Sequence, residues 1–341
     1  MDLNHTKHKY LPSVDGLRSI AVFSVVVFHF FPKYLKGGYV GVDIFFLISG
    51  YLVTGNILKS IENNSFDFIQ FYKKRILRLL PALLVVITTC LLFSFFFLFS
   101  EELKRLGLHL FSGTFFFSNI LYSTEVGYFD KTSELKPFLH LWSLSLEEQF
   151  YFIWPLVLVL FTSNSFFKSK TNLKTLIALI SLISFVLCGI YTKNNQSVTF
   201  FNLPFRLWEL SLGGLLAVLQ IQKKIDEVKY EFFFKALSYI GFILIVFSMI
   251  TYSSKTIFPG YAAIIPILGT FLILISKNEE VGIKRILKAS APCLPWKNKL
   301  PTLPLALANF FFLIYFKWRV SQMVLSTYLD GDFYRISNPY L

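Results

Sequence analysis

An all-α, polytopic integral membrane protein with about 9–10 transmembrane helices is the fold class this sequence predicts. Three observations carry that reading. Of 341 residues, 55% are hydrophobic and only 16% charged, against about 25% charged in a soluble globular domain. The apolar residues are gathered in blocks long enough to cross a bilayer rather than spread at amphipathic spacing. Lysine and arginine concentrate in alternate connections between those blocks, as cytoplasmic loops require.

The first block, 14–32, lies within YLPSVDGLRSIAVFSVVVFHFFP (Tyr10–Pro32) and carries Arg18 near its start and His29 near its end. Eleven residues bring the helix back to within roughly 20° of the same face, about 16 Å along its axis. An ionisable side chain at membrane depth is costly and marks function by default. Lys7 and Lys9 precede the block, but the two polar residues interrupt it and no small-x-small cleavage site follows. It is therefore read as a retained helix and not a signal peptide.

The second block, 40–58, holds Asp43 amid Val42, Ile44, Phe45 and Phe46, within reach of His29 if the first helix runs outward. A carboxylate there orients an imidazole and favours its charged form; the plainer reading is an acid stabilised by the helix dipole. Gly37, Gly38, Gly41, Gly50 and Gly55 suit close helix packing. The third block, 79–99, is entered through FYKKRILRLLPALL, where Lys74, Arg75 and Arg78 form a cationic face that opens the third helix. That face serves either as a positive-inside anchor or as a phosphate site.

Residues 106–122 are apolar but interrupted by His109, Ser112, Gly113, Ser118 and Asn119, and are predicted not to cross. Block 141–161 opens with LHLWSLSLEEQFYFIWPL, where Glu147 and Glu148 stand side by side. Ser145 with Glu148 has capping-box spacing, and Trp142 and Trp154 suit an interfacial belt. Blocks 173–192, 204–221, 233–252, 259–276 and 303–320 complete the map. In RLWELSLGGLLA, Arg206 and Glu209 stand one turn apart and are expected to pair.

With the N-terminus cytoplasmic, the inside loops take Lys59, Lys73, Lys74, Arg75 and Arg78, then Lys168, Lys170 and Lys174. Lys223, Lys224, Lys229 and Lys235, and then Lys277, Lys284, Arg285 and Lys288, follow on the same side. Inside cations outnumber outside ones by about two to one. The net charge of +13 is thereby accounted for by loops, and no RNA-binding motif accompanies it, so nucleic acid is excluded as a partner. Cys90, Cys188 and Cys293 are too scattered for a disulfide or zinc framework, and no metal site is expected.

Taken in order, YLPSVDGLRSIAVFSVVVFHFF, GGYVGVDIFFLISGYLVTGNI, FDFIQFYKKRILRLLPALL, LHLWSLSLEEQFYFIWPL and RLWELSLGGLLA resemble the acyltransferase 3 family. Within it the chain is most similar to O-acetylases of O-antigen lipopolysaccharide and exopolysaccharide. The resemblance runs from about Tyr10 to Lys288. It implies a multi-pass enzyme of the inner or plasma membrane, with no bound cofactor. Such an enzyme moves acetyl from cytoplasmic acetyl-CoA to a hydroxyl of a cell-envelope glycan or lipid-linked sugar. It also implies roles for His29, Asp43 and Glu147 in catalysis, and for Arg18, Lys74, Arg75, Arg78 and Arg206 in binding substrate or donor. Removing a hydroxyl proton needs a base, and His29 is the best-placed titratable group; alternatively, its nitrogen carries the acyl group transiently.

The chain departs from the family's pattern after Ala291, where a Pro-rich stretch stands in place of a motif resembling SYxLYLWHWP. A following serine-hydrolase-like domain is also missing. The expected organisation is thus a transmembrane domain over 1–290 and an atypical segment over 291–341, from truncation or frameshift. The competing readings are a polytopic carrier for a small polar substrate, against which the lack of internal repeats argues, and an inactive enzyme remnant.

Overall fold

A chain crossing hydrocarbon must satisfy its backbone polar groups within each segment, which an α-helix does locally. The computed structural model describes residues 11–97, 100–125, 138–163, 170–222 and 230–290. Among these there are twelve α-helices and no strand. They are α1 (Pro12–Phe30), α2 (Gly41–Glu62), α3 (Phe68–Phe97), α4 (Ser100–Thr114), α5 (Ser118–Glu125) and α6 (Leu141–Ser163). The remainder are α7 (Lys170–Tyr191), α8 (Gln196–Phe201), α9 (Leu203–Gln222), α10 (Glu231–Thr251), α11 (Ile264–Leu274) and α12 (Ile283–Ser290).

Six of the described helical stretches are long and apolar enough to cross a membrane: Pro12–Phe30, Gly38–Glu62, Phe68–Leu92, Leu141–Thr162, Asn172–Tyr191 and Glu231–Thr251. The expected blocks at 204–221 and 259–276 are helical too, as α9 and as a 3-10 turn leading into α11. Block 303–320 lies outside the described residues.

Two boundaries differ from those of the apolar blocks. α3 begins at Phe68, ahead of the apolar block at 79, because Lys73, Lys74, Arg75 and Arg78 ride on its opening turns, as expected of a cationic face that opens this helix. Long cationic side chains reach polar surroundings from a helix without ending it. The 106–122 stretch divides into α4 and α5 at Phe116, whose φ of 58° no helix accommodates.

α2 is the centre of the bundle, with α9 packed along it and α7 behind α9. The approach of α2 and α9 depends on glycine. A Cβ at Gly50 would stand 1.7 Å from the Leu210 carbonyl oxygen, and one at Gly213 would stand 2.0 Å from that of Leu47. Close backbone approach of this kind replaces the hydrophobic drive that lipid does not supply.

At one end of the bundle, α12 lies against α1. Glu279 receives the Ser13 backbone N–H at 2.8 Å and the Ser13 hydroxyl at 2.9 Å, so the first turn of α1 is capped from the far end of the described chain. Lys284, only 2% exposed, donates to the Ser276 carbonyl at 2.8 Å and to Glu279 at 3.3 Å. Lys288 bonds to Glu280, and that hydrogen bond holds the exposed Glu280 carboxyl below the ordinary range.

The tryptophans correct the interfacial-belt expectation. Trp142 and Trp154 are 1% and 2% exposed and belong to the core. Trp154 donates its indole N–H to Thr54 Oγ1 at 2.7 Å, while Trp142 meets the rings of Phe46, Phe200 and Phe201. A partner for the indole N–H and aromatic neighbours make the interior the better place. The capping-box spacing of Ser145 and Glu148 is likewise not used. α6 already starts at Leu141, and Ser145 Oγ bonds instead to Ser118 Oγ at 2.7 Å.

Candidate active site

Two groups of charges stand out, one toward each end of α1. The first forms where α1, α3 and α6 meet around the middle of α2. Ser49 donates to Glu147 Oε1 at 3.0 Å and Tyr151, one turn further along α6, donates to Oε2 at 3.3 Å. Arg18 of α1 and Arg75 of α3 both lie within electrostatic reach of Glu147, and Arg78 within reach of Arg18, Arg75 and Glu147. Three arginines from two helices therefore share one region of the bundle with this carboxylate.

The cationic face of α3 is divided. Arg75 turns inward, its guanidinium carbon 3.4 Å from the Tyr151 ring centroid and 4.9 Å from that of Phe71, with Glu148 at 3.9 Å. Lys74 and Arg78 are exposed. Arg18 keeps Asp15 at 3.7 Å within its own helix.

The second group sits at the opposite end. Asp43, in the first turn of α2, is fully buried and accepts from Arg206 Nη2 at 2.9 Å. The expected Arg206–Glu209 pair is present at 2.9 Å, with both side chains 0–1% exposed. Arg206, expected to bind substrate or donor, lies in this interior cluster, ringed by Phe46, Phe200 and Phe258 at 5.4–5.6 Å.

His29 lies exposed at this same end, the last turn of α1, its Nδ1 2.8 Å from the Val25 carbonyl oxygen and its ring edge-on to Phe28. The sequence had offered Asp43 or Glu147 as the residue orienting this imidazole. The partners the structure gives those carboxylates are Arg206 for one, and Ser49 and Tyr151 for the other. The short connection 31–40 nevertheless brings the ends of α1 and α2 together, with Phe28 against Tyr39 at 5.5 Å.

Two residues of the first group were not singled out from sequence, Ser49 and Tyr151, which hold Glu147. Tyr151 falls four residues after Glu147, a one-turn spacing that signals contact; Ser49 carries no such signal, since its partner is 98 positions away.

The sequence profile of the acyltransferase 3 family, described as an acyltransferase domain, matches residues 11–316. This chain belongs to the acyltransferase 3 family. It is similar to the O-acetyltransferase OatA of Staphylococcus aureus (strain NCTC 8325), 37% identical over 214 residues, which cover 61% of this chain and 34% of OatA. OatA of strain COL matches to the same extent. A further protein of strain COL, provisionally named an O-acetyltransferase, is 33% identical over 342 residues, covering 96% of this chain and 53% of that protein. This acyltransferase 3 chain thus spans between a third and about half of the length of these relatives. No solved structure matches it.

Proposed function

We propose that this chain is a membrane O-acetyltransferase that moves acetyl from cytoplasmic acetyl-CoA to a hydroxyl of a cell-envelope polysaccharide or lipid-linked sugar. The observation that carries the reading is that Arg18, Arg75 and Arg78 share one region of the bundle with Glu147 in a chain of this family. Guanidinium groups suit the phosphates of CoA, and Lys74 and Arg78, exposed on α3, are open to such a donor. The N-terminus lies in the cytoplasm, so that the cationic connections face inward. The transmembrane body over 1–290 carries this chemistry.

His29, about 16 Å along α1 from Arg18, works at the acceptor end. It takes the proton of the acceptor hydroxyl as the oxygen attacks the thioester carbon, the C–O bond forms and the C–S bond breaks. Asp43 supplies negative charge at the same end of the bundle, and Glu147 holds the arginines in register. Arg206 positions Asp43 and so the acceptor end.

The test is transfer from labelled acetyl-CoA to envelope glycan by membranes carrying this chain. Label in the glycan, released by mild alkali as an ester is, supports the reading. No label in glycan or protein overturns it, and the carrier reading then stands in its place.

A further inference from the structure

The cluster at Asp43 leaves buried carboxylate oxygens without hydrogen-bond partners. Arg206 Nη2 satisfies Asp43 Oδ1, but Asp43 Oδ2 and both carboxylate oxygens of Glu209 are buried without a hydrogen-bond partner. Arg206 Nη1 stands 2.9 Å from Glu209 Oε1 without hydrogen-bond alignment, and Arg206 Nε and Trp208 Nε1 are also unpartnered. Asp43 Oδ1 and Glu209 Oε1 stand 2.9 Å from the two terminal nitrogens of one guanidinium, which brings the two carboxyl groups side by side.

Buried polar atoms are almost always satisfied, and an exception calls for a physical account. Two ionised carboxylates facing each other only repel. A proton between them turns one into a donor and the repulsion into a hydrogen bond, as in other carboxyl pairs that share a site. The charge balance agrees: one guanidinium stands against two carboxyl groups, all 0–1% exposed. The titratable groups that act on the cluster from neighbouring elements are the Cys188 thiol of α7 and the Tyr252 phenol after α10, and neither is cationic.

We propose that Asp43 and Glu209, clamped by Arg206, hold a single proton between them and form a proton-holding site at the acceptor end of the bundle. The role in transfer rests on the acetyltransferase reading above. Acyl transfer breaks the acceptor O–H and the thioester C–S bonds and forms a C–O and an S–H bond. The pair gives its proton to the leaving thiolate and is reloaded with the hydroxyl proton that His29 accepts. No proton is gained or lost overall.

Infrared spectroscopy of the purified full chain, in ordinary and heavy water, tests the site without any activity. The expected result is a carboxylic C=O band, sensitive to heavy water, that is lost in both Glu209→Gln and Asp43→Asn. Each variant leaves one carboxylate against one guanidinium, so neither retains the shared proton. The absence of any band lost in both variants overturns the site. For the role, Glu209→Gln should lower kcat about a hundredfold while leaving the KM for acetyl-CoA within about twofold. An unchanged kcat overturns the role, as does a loss expressed only in KM. If the wild-type chain transfers no acetyl, the acetyltransferase reading fails while the infrared band still decides the site.

Discussion

The guanidinium of Arg75 lies over the ring of Tyr151, 3.4 Å from its centroid, and so ties the cationic start of α3 to the helix that bears Glu147. The contact is cation–π on one side and ionic on the other, with Glu148 at 3.9 Å. It makes Arg75 part of the packing as well as of the charge.

Arg75→Lys is therefore not a conservative change. A lysine keeps the charge but loses the flat stacked surface. The expected cost is about 1–2 kcal/mol, read as a lowered melting temperature in detergent. Lys74→Ala should leave the melting temperature in place and raise the KM for acetyl-CoA. Arg75→Ala with Arg78→Ala should raise that KM further. If the double variant alters only topology, as read by cysteine accessibility, the arginines are membrane anchors.

His29→Ala should abolish glycan acetylation while the chain still inserts in the membrane. The side chain is exposed at the end of α1, so its removal leaves no hole in the core. Esterified acetate on the glycan and the membrane fraction of the protein give the two readouts. Retained acetylation would remove His29 from the chemistry.

Glu279→Ala should destabilise the chain by about 3–5 kcal/mol, because it strips a partner from a nearly buried lysine and uncaps α1. Adding Lys284→Met should restore most of the loss by removing the stranded charge. Thermal unfolding of the single and double variants measures both effects. A double variant no better than the single would assign the cost to the α1 cap.

Gly50→Val tests the α2–α9 approach. With the Leu210 carbonyl oxygen 1.7 Å from the new Cβ, the helices must part, at a cost of about 3 kcal/mol. Gly55→Ala is the control, since its Cβ would meet only Ala217 Cβ at an ordinary 3.7 Å. Folded yield and melting temperature should fall for the first and hold for the second.

Trp154→Phe should cost about 1 kcal/mol through loss of the 2.7 Å bond to Thr54. Had the indole sat in an interfacial belt, the change would be nearly silent in detergent.

The sequence by itself determined the helices and their rough limits, because hydrophobic length and breakers are local properties of the chain. It also determined which polar residues demanded explanation. Asp43, Glu147, Arg206 and Glu209 stand out wherever apolar neighbours make their burial costly, and the one-turn spacing of Arg206 and Glu209 already implied their pair. Only the tertiary structure decided the partners. Asp43 meets Arg206 across 163 positions and Glu147 meets Ser49 across 98. Such pairs depend on which faces of α2, α6 and α9 turn toward one another. That choice follows from shape, above all the glycine surfaces that let α2 and α9 touch, and helical periodicity within a single segment does not encode it.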